Sequence, residues 1–232
     1  MGTVVSSEVF ILCLNVAAYV VGGWVVRKLK LRLLSALIVA ILIVIGVLLL
    51  TGIDYATYME GSRILNFMLG PAVVAIGYVL HREVKKIRAN LLPICIAIVA
   101  GALVNLVTIN LVLSAFGADL NIIYSLQPKS VTMPIAISLS EIARGTVPIT
   151  VISVVATGVL GSIIGPWLLK ITRINDPVAK GLAMGSAAHA VGTARAMEMG
   201  MTEGAIAGLA IGLMGVATAI ILPLFRNLLL IF

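Results

Sequence analysis

Six long apolar runs follow one another along this chain, covering residues 9–26, 33–53, 64–80, 91–117, 147–169 and 204–232. Each approaches the ~20 residues that a helix needs to cross a bilayer. The chain is 61% hydrophobic and 11% charged, whereas a soluble domain is about half apolar and a quarter charged. These features predict an all-α polytopic membrane protein, with one membrane domain over 1–232 and about six full spans.

The charged residues sit in the short connections between the apolar runs. The net charge is +7, from 16 basic and 9 acidic residues, but this placement fits membrane topology and argues against a nucleic-acid partner. The basic clusters that mark cytoplasmic loops comprise Arg27, Lys28, Lys30, Arg32, Arg82, Lys85, Lys86 and Arg88. Because the first cluster follows the first run, the N-terminus is predicted to lie outside.

Two regions, 119–145 and 177–201, are apolar on average but broken by proline, glycine and charge. The basic residues after run 147–169 also belong inside, and they are Lys170, Arg173 and Lys180. That run must then start outside, where run 91–117 ends. The first broken region therefore enters the membrane from outside and returns there, and the second enters from the cytoplasmic side and returns there. Re-entrant hairpins satisfy the charge rule. Two full crossings remain the alternative, since earlier loops can dominate topology.

A weak internal repeat accompanies the two broken regions. A shift of 61 residues places Thr132 on Thr193 and the "VAT" of 155–157 on that of 216–218. Each repeat is one broken region followed by one long helix. If the broken region is re-entrant, each repeat crosses the membrane once, so the two copies have opposite orientations. Inverted repeats with interrupted segments are typical of secondary transporters. We therefore predict scaffold spans over 1–117 and a transport core over 118–232.

Each broken region has the chemistry of an anion site. Pro128 and Pro134 interrupt the first, and Gly185 and Gly192 the second. A half-helix that starts after each break presents free N–H groups and a positive dipole end. The candidate substrate-binding residues are Lys129, Ser130, Thr132, His189, Gly192, Thr193 and Arg195. The inferred ligand is a small organic anion, such as a short carboxylate.

Several of these residues also have a purely structural interpretation. Arg195 and Glu198 stand three apart and can form a helical ion pair, His189 can bond a carbonyl in the core, and Lys129 can extend to a headgroup. Candidates for a pathway or for coupling are Asn66, Asn105 and Glu198. The coupling ion stays open between H⁺, carried by His189 or Glu198, and Na⁺.

No phosphate loop, clustered metal-ligand spacing or nucleophile elbow occurs in the sequence. We therefore expect no cofactor, no metal and no enzymatic activity. The leading hypothesis from the residues is a secondary carrier for a small organic anion, such as a short carboxylate.

The stretches "LQPKSVTMPIA" and "KGLAMGSAAHAVGTARAMEMGMTEGA" resemble the LrgB/CidB family of bacterial inner-membrane proteins. A similar half occurs in the plant plastidial glycolate/glycerate translocator, fused to a segment like the small LrgA protein. The resemblance implies an inner-membrane location, a separate LrgA/CidA-like partner and transport of glycolate-, glycerate- or pyruvate-like acids. It equally implies the alternative function, a holin/antiholin-like pore component or regulator of murein hydrolase activity and autolysis. A homo-oligomer, with a dimer favoured, is expected.

Overall fold

A computed structural model describes residues 7–29 and 36–229, and within these ranges every regular element is a helix. Lys30, Arg32 and the ends of two predicted spans, 33–35 and 230–232, lie outside the described residues. The helices are α1 Glu8–Lys28, α2 Ala36–Thr51, α3 Tyr55–Gly61, α4 Arg63–Arg82, α5 Val84–Ala89, α6 Leu91–Ala115, α7 Leu120–Leu126, α8 Met133–Ile142, α9 Val147–Ile171, α10 Pro177–Met199 and α11 Met201–Leu229. The prediction of an all-α polytopic membrane protein is confirmed.

Among the described helices, four are long and apolar enough to cross a membrane: α1, α6, α9 and residues 201–225 of α11. A fifth candidate is α2 together with α3, which bend by 120° at their junction. The predicted span 64–80 forms the helix α4, which has Pro71 inside it and His81 and Arg82 in its last turn. The described residues therefore give four to five candidate spans besides α4, where about six were predicted.

The chain divides into two compact units, residues 1–78 and 79–232, with the boundary inside α4. In the first unit α1 packs on α2 through small residues. A Cβ on Gly22 would stand 2.6 Å from the Ala36 carbonyl oxygen, so the two backbones approach closely. Tyr58 on α3 donates its hydroxyl hydrogen to Asn15 Oδ1 at 3.0 Å and so ties α3 to α1.

The second unit contains α6, which the sequence placed with the scaffold spans. Helix α6 shares its core with α8, α9 and α11, in a cluster that includes Ile98, Ala136, Val154 and Ile206. The compact units therefore divide at residue 78. The predicted division at residue 117 separates a scaffold from a transport core that moves against it, and it stays a prediction.

Helices α7 and α8 form a hairpin, called the first hairpin, whose tip comprises residues 127–132. Near its open end, Tyr124 and Ala143 share a cluster with Leu106 of α6, and the Thr146 amide donates to Ser125 Oγ at 2.6 Å. Its tip lies deeper, because Val131 shares a cluster with Ile98. The first hairpin thus enters and returns at the carboxyl end of α6.

Helix α10 forms the second hairpin, because Ala188 and His189 leave helical geometry and divide it into α10a (177–187) and α10b (190–199). A Cβ on Gly192 of α10b would meet the Met184 carbonyl of α10a, so the two limbs lie side by side. Met197 of α10b packs against Gly204 in the first turns of α11. This hairpin therefore opens at the carboxyl end of α9, opposite to the first.

Lys86 fastens the connection before α6 to the corner between α10 and α11. Its Nζ donates to Thr202 Oγ1 at 2.9 Å and pairs with Glu83 Oε2 at 2.7 Å. The hydrogen bond from Lys86 holds the pKa of Glu83 below its usual value. The α4–α6 connection and the open end of the second hairpin consequently share one side of the unit.

Candidate functional site

The two hairpin tips border the same cavity, which has a volume of about 590 Å³. The first tip contributes Lys129 and Ser130, and the second contributes Ala187 and Ala188. Both tips reach mid-depth: Lys129 bonds to Asn105 near the middle of α6, and His189 bonds to Val154 of α9. Two interrupted segments entering from opposite ends therefore approach one central space.

Lys129 is held at the cavity by two oxygen atoms. Its Nζ donates to Asn105 Oδ1 at 2.7 Å and to Ser130 Oγ at 3.2 Å. Asn105 Nδ2 donates to the Gln127 carbonyl at 2.9 Å, which fixes the amide so that its oxygen faces the cation. Because an ammonium has three N–H donors, one donor of Lys129 remains for a ligand.

No carboxylate neutralises Lys129 within the described residues. The ion pairs found there join Arg63 to Glu60, Lys86 to Glu83 and Arg195 to Glu198. Lys129 is also the only charged residue among the described residues that border the cavity. A half-buried cation bonded only to neutral groups favours an anion as its partner, since charges at membrane depth are costly when unpaired.

The second tip is shaped by an unusual backbone at His189. Its φ of 40° and ψ of −132° lie where glycine is preferred. His189 Nε2 donates to the Val154 carbonyl at 2.9 Å, and the ring rests where Gly158 leaves room, since a Cβ there would lie 2.6 Å from the imidazole. The histidine thus fastens the second tip to α9, as its structural interpretation predicted.

We expect His189→Gly to be more stable than His189→Ala by about 1 kcal/mol, because both lose the imidazole but only alanine keeps the strained backbone. Equilibrium unfolding of the purified variants in mixed detergent measures the difference. An alanine variant as stable as the glycine variant would show that the backbone at this position is unstrained.

The other predicted binding residues lie away from the cavity wall. Thr132 is the N-cap of α8, and the buried Gly192 and Thr193 lie on α10b. The amino end of α10b, expected to complete the anion site, packs on α9, with Val191 close to Gly158. The second tip instead presents the carboxyl end of α10a to the cavity.

Arg195 pairs with Glu198 one turn along α10b, as the alternative interpretation predicted. The structure therefore gives the cavity one cation rather than two. Of the pathway candidates, Asn105 borders the cavity. Glu198 is exposed and forms the ion pair with Arg195, and Asn66 is exposed in the first unit.

Three polar residues near the site were not singled out from the sequence. Thr157 and Ser186 border the cavity, and single hydroxyls in apolar helices carry no signal of their own. Gln127 at the first tip is fully buried, and neither atom of its side-chain amide has a partner among the described residues. The sequence feature that could have identified Gln127 is its position two residues before Lys129 in the "LQPKS" motif.

A sequence model of the LrgB-like family matches residues 15–228, which include both hairpins and the cavity. The chain belongs to the LrgB-like family. The resemblance inferred from the two motifs is thereby confirmed. No solved structure shows a significant match to this LrgB-like chain.

Curated relatives match this LrgB-like chain over most of their length. "Holin-like protein CidB" of Staphylococcus aureus (strain Mu50) is 35% identical over 210 residues, covering 90% of this chain and 92% of the relative. "Holin-like protein CidB" of Staphylococcus epidermidis is 33% identical over 215 residues, covering 93% and 94%. "Antiholin-like protein LrgB" of Bacillus subtilis is 31% identical over 223 residues, covering 96% of each chain.

Proposed function

We propose that this LrgB-like protein is a secondary carrier for small monocarboxylates such as glycolate, glycerate and pyruvate. The observation that carries the proposal is the unneutralised Lys129 on a cavity bordered by both tips. A carrier needs a central binding site that either face of the membrane can reach in turn, and opposed interrupted segments are a common way to build one.

Several features belong to this proposal. The carrier works without enzymatic chemistry, in the bacterial inner membrane with its N-terminus outside, as a homodimer and beside a small LrgA/CidA-like partner. Coupling to H⁺ or Na⁺ supplies the driving force. Lys129 binds the carboxylate, while Asn105 and Ser130 hold the ammonium in place and are positioning residues.

A second candidate function is a holin-like or antiholin-like component that controls murein hydrolase activity and autolysis. The names of the relatives, "Holin-like protein CidB" and "Antiholin-like protein LrgB", support it. They support it more directly than they support a carrier, because none of them names a substrate. In this function the chain forms or regulates a pore, and the cation at the first tip has no ligand to bind.

Proteoliposomes containing the purified full chain separate the two functions. A carrier takes up labelled pyruvate or glycolate with saturation while entrapped calcein is retained. A pore releases calcein and admits the acids without saturation. Liposomes that neither take up the acids nor leak the dye would overturn the proposal that this chain alone is a carrier.

A further inference from the structure

We infer that the cavity selects monocarboxylates with an apolar chain of several carbons, in preference to three-carbon acids and to dicarboxylates of similar length. This inference rests on the proposed carrier function and assigns its substrate class. Three observations carry it: the size of the cavity, the distribution of its polar groups and its single cation.

The cavity is much larger than a three-carbon acid. Its volume of about 590 Å³ lies in the ~300–1,000 Å³ range of pockets that hold drug-sized ligands. Along α9 it extends from Thr157 to Leu169, which is about 18 Å at 1.5 Å per residue. A pyruvate bound to Lys129 leaves most of this length unfilled.

The polar groups gather at one end of that length. Lys129, Asn105 and Ser130 are bonded to one another, and Val131 beside them shares a cluster with Val154, less than one turn before Thr157. The part of the cavity toward the end of α9 is apolar, bordered by Leu160, Ile164, Leu168 and Met184. A carboxylate on Lys129 therefore directs its substituent along an apolar wall.

A longer apolar chain gains affinity from this wall. Each methylene removed from water contributes about fourfold in affinity when fully buried. The wall is open on one side, since Val104 and Leu160 are 63% and 55% exposed, so the gain per carbon is smaller. We expect 4-methyl-2-oxopentanoate, which has three more carbons than pyruvate, to bind at least about tenfold more tightly.

The described residues offer a second carboxylate no partner in this cavity. Among them Lys129 is the only charged residue that borders it, so one carboxylate of a dianion would lie against leucine and methionine side chains without compensation. 2-Oxoglutarate, a dianion close in length to the branched acid, is expected to compete poorly.

Competition for labelled pyruvate uptake in proteoliposomes tests the inference. Unlabelled 4-methyl-2-oxopentanoate should inhibit at a concentration at least about tenfold below that of unlabelled pyruvate, and 2-oxoglutarate should inhibit little at tenfold above it. Equal inhibition by the branched acid and pyruvate, or strong inhibition by 2-oxoglutarate, overturns the inference while the carrier function stands. Absence of saturable pyruvate uptake overturns the carrier function itself.

Two glycines provide a matched pair of variants. Gly101 borders the cavity, and a Cβ there meets nothing within 4 Å, so Gly101→Leu fills apolar space without a backbone clash. It should reduce the preference for the branched acid over pyruvate to about twofold or less, because the space for three carbons is lost. Gly212 is equally open but lies off the cavity, so Gly212→Leu should leave the preference unchanged. An unchanged preference in Gly101→Leu would show that the branched acid binds elsewhere.

Discussion

Lys129→Met is expected to raise the half-saturation concentration for pyruvate uptake about 100-fold. A hydrogen bond to a charged group contributes about 1.5–3 kcal/mol, and 2.7 kcal/mol corresponds to a factor of about 100. Methionine keeps the length and the apolar stem of lysine but removes the only charge that the described residues place on the cavity. Initial rates of labelled pyruvate uptake into proteoliposomes measure the effect.

Lys170→Met is the control for loss of charge in general. Lys170 is exposed in the last turn of α9 and does not border the cavity, so its variant should transport like the unmodified protein. Uptake that survives in Lys129→Met, or falls equally in both variants, would remove Lys129 from the binding site.

Asn105→Asp tests the same idea while keeping the lysine. A carboxylate at this position replaces the oxygen that stands 2.7 Å from Lys129 Nζ, so an internal ion pair forms and competes with the substrate. Asn110 on the same helix also donates its amide to a backbone carbonyl, that of Leu106, but does not border the cavity. Asn105→Asp should therefore lose uptake and Asn110→Asp should retain it.

Gly185→Ala is expected to lower the free energy of unfolding of the protein by about 3 kcal/mol. A Cβ at this position would collide with the Ala207 carbonyl oxygen and stand 2.7 Å from Ala207 Cα. These are backbone atoms of α11 that no side-chain rotation can move, and overpacking costs about 1–3 kcal/mol. The mid-point of unfolding in mixed detergent, followed by circular dichroism, measures the loss.

Gly212→Ala is the matched control, because a Cβ there meets nothing within 4 Å. Alanine is favoured over glycine in a helix by about 1 kcal/mol, so this variant should be as stable as the unmodified protein or slightly more so. If Gly185→Ala behaves like Gly212→Ala, then α10a and α11 are not in backbone contact.

The positions of the hairpins could be predicted from the sequence, but their contacts could not. Charge placement and the breaks at Pro128 and Pro134 locate the first hairpin, because proline and unpaired backbone are poorly tolerated inside lipid. The second break was assigned to Gly185 and Gly192, whereas it occurs at Ala188 and His189.

The glycines of the second hairpin have a different role from the one predicted. They let α10a approach α11 at Gly185 and α10b approach α10a at Gly192. A glycine that bends a chain and a glycine that admits a neighbouring helix have the same letter, and only the packed structure separates them. For the same reason the sequence could not tell whether Arg195 faces a ligand or its own helix.

Each hairpin begins and ends on the same side of the second unit, and this determines on which side its basic residues lie. Among the described helices of the second unit, the candidates to cross the membrane completely are α6, α9 and the first 25 residues of α11. The cations of α5, Lys85, Lys86 and Arg88, therefore face the same leaflet as Lys170 and Arg173. Anionic lipids attract a basic side chain near the membrane surface by about 1 kcal/mol. A bilayer with anionic lipids on one side only would therefore favour one of the two orientations of this unit.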